Sequence, residues 1–181
     1  MVSSVYHTIG ASRQIFIQAP TGVGKTMSTI FPAVRAVGEG KGETIFYLTA
    51  KTITRTVAQE AFEVLREKGM KYKVVTITAK EKLCFMDETK CDPVHCPYAR
   101  GHFDRVNDAV YELWTMKSRY DRETIREQAE KWQVCPFEMC LDLSVWVDAV
   151  ICDYNYVFDP TVHLKRFFGE GAGGDYIFLI D

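Results

Sequence analysis

Apolar positions along this chain fall into two periods, and their alternation outlines the fold. Val2, Val5, Tyr6 and Ile9 recur at helical spacing and predict a first helix over 2–9. Ile15-Phe16-Ile17 is a short apolar run and predicts a buried strand within 13–18. A helical pattern then runs from Lys25 to about Val37, where Gly38 and Gly40 end it. Pro32 inside it predicts a bend or a weak turn. Residues 44–49 form the next strand. Ile53, Val57, Ala58, Ala61, Phe62 and Leu65 share one helix face, closed by Gly69. Residues 72–78, rich in Val, Ile and Thr, predict a third strand. Strand, helix, strand, helix, strand at this spacing predicts an α/β fold with a parallel sheet and right-handed crossovers.

The rhythm then breaks. Residues 84–97 hold Cys84, Cys91, Cys96, Pro93 and Pro97 with no periodicity. Phe103, Val106, Val110, Leu113 and Trp114 mark a helix, and a second runs from about Arg122 to Trp132 with Asp121 as its N-cap. Cys135-Pro136 opens a third, with Pro136 suited to the first helical position. Ala149-Val150-Ile151-Cys152 returns the chain to the sheet. Residues 169–174 are glycine-rich and predict a flexible loop. The chain closes on Tyr176-Ile177-Phe178-Leu179-Ile180-Asp181, an apolar strand with an acid at its carboxyl end.

Composition changes this picture little. The 181 residues suit about one domain with room for an insertion. No apolar run approaches the ~20 residues of a membrane span, and Met1-Val2-Ser3-Ser4 lacks the start of a signal peptide. The first helix has no capping sequence before it, so Met1 is expected to be an internal residue of a longer protein. A net charge of −2 gives no global signature of nucleic-acid binding. Locally, Lys51, Arg55, Arg66, Lys68, Lys71, Lys73, Lys80 and Lys82 outnumber Glu60, Glu63, Glu67 and Glu81. That excess fits either a nucleic-acid surface or a solvated helix face.

The stretch Gln18-Ala19-Pro20-Thr21-Gly22-Val23-Gly24-Lys25-Thr26 carries the clearest chemistry. A strand before it, a glycine-rich turn and a helix after Gly-Lys-Thr are the context of a P-loop. Gly22 and Gly24 let the backbone turn tightly so that its N–H groups face phosphate oxygens. Lys25 is expected to neutralise the β/γ-phosphates and the Thr26 hydroxyl to ligate Mg²⁺, while the helix N-terminus attracts the same anion. The ATP-binding set is therefore Ala19, Pro20, Thr21, Gly22, Val23, Gly24, Lys25 and Thr26.

Six cysteines without an export signal argue for metal or core roles rather than disulfides. Cys84, Cys91 and Cys96 share one irregular loop. Two helices of about 15 and about 12 residues, each ~20 Å long, separate it from Cys135. Folded as an antiparallel hairpin, they bring Cys135 back to complete a four-thiolate site. Such a site holds zinc or an iron–sulfur cluster. Cys140 lies in a helix among Phe137, Leu141 and Val145, and Cys152 in an apolar strand. Both read as core.

Taken together, the motifs resemble XPD/DinG-type iron–sulfur helicases of superfamily 2. Ala-Pro-Thr-Gly-Val-Gly-Lys-Thr at 19–26 resembles their motif I, where Ala at the first position is common. Thr49-Ala50-Lys51-Thr52 corresponds to motif Ia, and Phe178-Leu179-Ile180-Asp181 to the start of motif II. Cys135-Pro136-Phe137, then Asp148-Ala149-Val150-Ile151-Cys152-Asp153-Tyr154-Asn155-Tyr156-Val157-Phe158-Asp159-Pro160, resemble the family's stretch ending in a Tyr-x-Tyr-Leu-Leu-Asp-Pro-like box.

The resemblance implies a RecA-like parallel sheet with helices on both faces, interrupted by a helical four-cysteine iron–sulfur insertion. Residues 1–79 and 148–181 would form the first motor domain, and 80–147 the insertion. It implies ATP, Mg²⁺ and a [4Fe–4S] cluster on Cys84, Cys91, Cys96 and Cys135. Lys25 and Asp181 would be catalytic, with Asp181 holding Mg²⁺ beside Thr26. Lys51, Thr52, Arg55, Lys80 and Lys82 would contact single-stranded or forked DNA.

The implied activity is ATP-driven 5′→3′ unwinding in DNA repair, in the cytoplasm or on a nucleoid. The chain is expected to be a piece of such a helicase, without its arch and second motor domains, and inactive alone. Two other readings stand beside it. One is a metal-stabilised nucleic-acid-binding module with a vestigial P-loop. The other is a zinc-containing P-loop phosphotransferase.

Overall fold

The structure is a computed structural model that describes residues 1–181. In chain order its elements are α1 (Val2–Gly10), α2 (Lys25–Gly38), β1 (Thr44–Leu48), α3 (Thr52–Glu67), β2 (Val74–Thr76), α4 (Lys80–Leu83) and α5 (His102–Met116). Then come β3 (Arg119–Tyr120), α6 (Arg122–Trp132), α7 (Pro136–Ser144), β4 (Ala149–Cys152), α8 (Asn155–Phe158), α9 (Lys165–Phe168) and β5 (Tyr176–Ile180). They form two compact units, Met1–Tyr72 with Asp148–Asp181, and Lys73–Val147.

In the first unit β1 runs parallel to β4 on one edge and to β5 on the other. Ile45 lies opposite Ala149 and Ile177, and Leu48 opposite Cys152 and Ile180. Ile45 to Leu48 and Ala149 to Cys152 are buried throughout, as strands covered on both faces require. Neighbouring side chains on a strand point to opposite faces. Phe46 accordingly meets Phe167 and Phe168 of α9 at centroid distances of 5.0 and 5.3 Å, while Tyr47 reaches Thr26 of α2. Helices thus cover both faces of β1. On β5, Ile177 and Leu179 are buried while Phe178 and Ile180 are exposed. An edge strand covered on one side alternates in this way.

Two expectations in this unit change. Ile15-Phe16-Ile17 forms no strand, and Phe16 is 94% exposed. Both edges of β1 are paired along its length, and the run does not join the sheet at the open edge of β5 either. Nor does Pro32 mark a weak turn: α2 runs through it, and Pro32 is buried. The packing of Ile30, Ala33 and Ala36 outweighs the lost N–H.

The second unit holds the parallel pair β2–β3, with Val74 opposite Arg119 and Val75 opposite Tyr120. Helices α5, α6 and α7 pack against one another, and α7 also packs on β2 and α4. Asp121 caps α6 as expected, its Oδ1 accepting the Thr124 N–H at 3.1 Å. Pro136 opens α7. Predicted as residues 72–78, the third strand contracts to 74–76. The two-residue β3 has no periodicity to announce it. Tyr120 explains its place: fully buried, it donates its hydroxyl to the Lys117 carbonyl at 2.6 Å.

Candidate nucleotide site and cysteine cavity

Residues 19–26 turn sharply in the first unit. Gly22 and Gly24 sit at φ of 84° and 73°, in the left-handed region that favours glycine. Nothing lies within 4 Å of a Cβ built at either, so the backbone angle and not crowding calls for glycine. Lys25 folds back over the turn, and its Nζ donates to the carbonyls of Ala19 at 3.2 Å and Pro20 at 3.1 Å. α2 begins with Gly24 as N-cap, without a side-chain cap and without an acid in its first turn. Its first N–H groups therefore keep their capacity for an external anion, and the helix dipole adds to it.

At the second residue of α2, Thr26 meets the far end of the chain. Tyr47, on β1, donates its hydroxyl to Asp181 Oδ2 at 3.0 Å. The same phenol hydrogen-bonds the Thr26 hydroxyl. Burial and the neighbouring Asp181 charge hold Tyr47 protonated well above the ordinary tyrosine range. Tyr154 donates to the main-chain carbonyl of Asp181, whose own N–H reaches the Leu48 carbonyl at 3.1 Å. Three groups from two segments, Tyr47 and Leu48 of β1 and Tyr154 at the start of α8, thus hold Asp181 beside Thr26. Sequence reasoning named Thr26 and Asp181 but missed both tyrosines. For Tyr47 the available signal was a hydroxyl-bearing residue in a buried strand; Tyr154, at the start of α8, offered none.

The basic residues divide between the units. In the first, Lys51 and Thr52 are exposed at the start of α3, and Arg55 is half-buried. Its Nε is buried without a hydrogen-bond partner, and its charge acts on the Cys152 thiol. In the second, Lys82 is exposed. Lys80 instead turns toward the cysteines, with its ammonium hydrogen-bonded to the Cys91 thiol and 5.8 Å from the Phe137 ring centroid. That thiol contact raises its pKa.

Cys84, Cys91, Cys96 and Cys135 line one cavity of about 30 Å³ in the second unit, walled by Phe85, Tyr98 and Phe137. Donors point at the sulfurs. The Met86 N–H reaches Cys84 Sγ at 3.4 Å. Burial raises the Cys135 pKa, and the main-chain N–H groups of Glu138 and Phe137 oppose that rise. Arg126 ties down the loop entrance by donating to the carbonyls of Leu83 at 2.6 Å and Cys84 at 3.1 Å. No three His, Cys, Asp or Glu side chains converge closely enough to grip a single metal ion. A four-iron cluster spreads its thiolates farther apart than one ion does. Four cysteines around one cavity, with N–H donors on two sulfurs and a cation on a third, fit such a cluster in chemistry. Cys140 and Cys152 lie apart from it, fully buried, their thiols pushed up to about 12 by burial. Both are inert core groups.

Comparison with known proteins adds three findings. A sequence profile of the DEAD/DEAH box helicase family matches residues 3–97. No curated protein matches the sequence. Among solved structures, a truncated XPD shares the fold with a TM-score of 0.63 at 16% identity, covering 100% of this chain and 51% of its own. An XPD helicase does so with a TM-score of 0.65 at 15% identity, covering 99% of this chain and 31% of its own. The chain therefore spans about half of one of these proteins and under a third of the other. No helix is long and apolar enough to cross a membrane.

Proposed function

The chain belongs to the DEAD/DEAH box helicase family, and from that membership we propose that it is the ATP-binding motor portion of a DNA helicase carrying an iron–sulfur insertion. One observation carries the reading. A glycine turn with an inward-folded lysine stands beside a threonine and an aspartate held together from opposite ends of the chain. Ala19 to Thr26 wrap the phosphates. Lys25 leaves the Ala19 and Pro20 carbonyls for the stronger charge pairing of a phosphate. Thr26 and Asp181 would hold Mg²⁺, which supplies charge neutralisation at the terminal phosphates. The test is nucleotide affinity with and without Mg²⁺, in the chain and in Lys25→Ala. Equal affinities in the two proteins would overturn the assignment.

The proposed insertion is 80–147, and it contains the four cysteines that line the cavity. Cys84, Cys91, Cys96 and Cys135 would hold a [4Fe–4S] cluster, which supplies a covalent staple for a loop without regular structure. Lys80 neutralises part of the thiolate charge. Iron and labile-sulfide content decide between this cluster and zinc. Lys51, Thr52 and Arg55 on α3, and Lys82 on α4, are the proposed contacts for single-stranded or forked DNA, while Lys80 faces the cysteines instead. In the whole protein the activity is 5′→3′ unwinding in DNA repair. Forked substrates tailed at one end only test the polarity.

A further inference from the structure

Tyr47 belongs to none of the nucleotide motifs, yet Thr26 and Asp181 meet through it. It sits one residue before the carboxyl end of β1 at 1% exposure, so water does not stand in for its partners. Its only hydroxyl proton goes to Asp181 Oδ2, at 3.0 Å. The Thr26 hydroxyl makes the second contact to the same oxygen. A phenol has one proton to give, and here the carboxylate takes it, so Thr26 must be the donor to Tyr47. The proton order consistent with this is Thr26 to Tyr47, Tyr47 to Asp181.

We propose that Tyr47 is a positioning residue that presents Thr26 and Asp181 to a nucleotide-bound Mg²⁺, and so sets the preference for Mg²⁺-bound over metal-free nucleotide. The proposal rests on the nucleotide reading of residues 19–26. With its proton directed at Tyr47, Thr26 Oγ keeps its lone pairs for a cation, the only part of a hydroxyl that a cation can use. With Oδ2 engaged, Asp181 is held in one rotamer and keeps Oδ1 for the same cation or its water. A cation at Thr26 polarises the O–H bond and strengthens the donation to Tyr47, which in turn strengthens the bond to Asp181. The two oxygens are thus coupled before any metal arrives. Tyr154 works differently, since it engages the Asp181 main chain and leaves the carboxylate to Tyr47.

The test compares the 181-residue chain with Tyr47→Phe, using a fluorescent ATP analogue in Mg²⁺ and in EDTA. Groups that orient a metal ligand are typically worth 10- to 100-fold in metal affinity, so the Mg²⁺-dependent gain should fall about tenfold, with affinity in EDTA within about twofold of the parent. An unchanged gain, or equal losses in both conditions, overturns the proposal and leaves the nucleotide site standing. A parent chain that binds neither form overturns both. If Tyr47→Phe does not fold, 3-fluorotyrosine at position 47 gives a second reading. Its ¹⁹F resonance should move with Mg²⁺–nucleotide and stay in place with nucleotide in EDTA. Equal movement in both overturns the proposal.

Discussion

The Nδ1 atom of His102 accepts the main-chain N–H of Cys135 at 3.2 Å, joining the start of α5 to the residue that caps α7. An accepting Nδ1 places the ring proton on Nε2. The imidazole is 4% exposed, and the N–H it satisfies lies beside the cysteine cavity. His102→Leu leaves that N–H without its acceptor, a loss of about 1–3 kcal/mol. The expected outcome is a lower melting temperature for the second unit together with weaker retention of metal by Cys135. Asn at 102, which can still accept, should recover part of both.

Lys25→Ala is expected to weaken ATP-analogue binding about tenfold or more, the worth of one charge-assisted hydrogen bond. In the nucleotide-free chain Lys25 bonds only the carbonyls of Ala19 and Pro20, at 3.2 and 3.1 Å on a half-exposed turn. The melting temperature without nucleotide should therefore move by less than about 2 °C. A larger drop would make Lys25 a structural residue.

Cys135→Ser should abolish the visible absorbance of iron-loaded protein and expose residues 84–135 to protease. Cys140→Ser should keep its iron, because Cys140 is fully buried and faces the Thr78 main chain, away from the cavity. The cost of Cys140→Ser is confined to stability, about 1–3 kcal/mol for a buried hydroxyl. Urea denaturation measures it.

Glu112 joins α5 to α6. Its carboxylate accepts from Lys131 at 2.6 and 2.7 Å, Trp132 Nε1 at 2.7 Å and Gln128 Nε2 at 2.8 Å. Lys131 first, then Trp132 and Gln128, lower its pKa from 4.5 to about 2. A depressed folded-state pKa means that the stabilisation is complete above about 4.5 and is lost as pH falls toward about 2. Thermal melts from neutral pH down through that window should fall less steeply in Glu112→Gln, which starts lower at neutral pH.

Charge reversal at Lys51 should lower DNA affinity and flatten its salt dependence by about one phosphate contact, without changing the fold. Lys80→Glu is expected to act first on metal retention, because its ammonium faces Cys91. Iron content measured alongside DNA affinity separates the two effects. Equal DNA affinity for the parent and a Lys51→Glu, Lys82→Glu double variant would make these lysines a merely solvated surface.

Local rules determined much of this protein from its sequence. The helices α2, α3, α5, α6 and α7 were legible because apolar period, caps and glycine stops agree, as at Asp121, Pro136 and Gly69. The strands β1, β4 and β5 were legible because buried parallel strands read as apolar runs. Residues 19–26 declared themselves through glycines whose φ values only that residue takes easily. Tertiary structure alone decided the rest. Ile15-Phe16-Ile17 looks like a strand, but an apolar run becomes one only where a neighbour pairs with it, and no strand pairs with these residues. Tyr47, Tyr154 and His102 carry no spacing signal. Each acts through hydrogen bonds to residues distant in sequence, and only the folded chain creates that proximity.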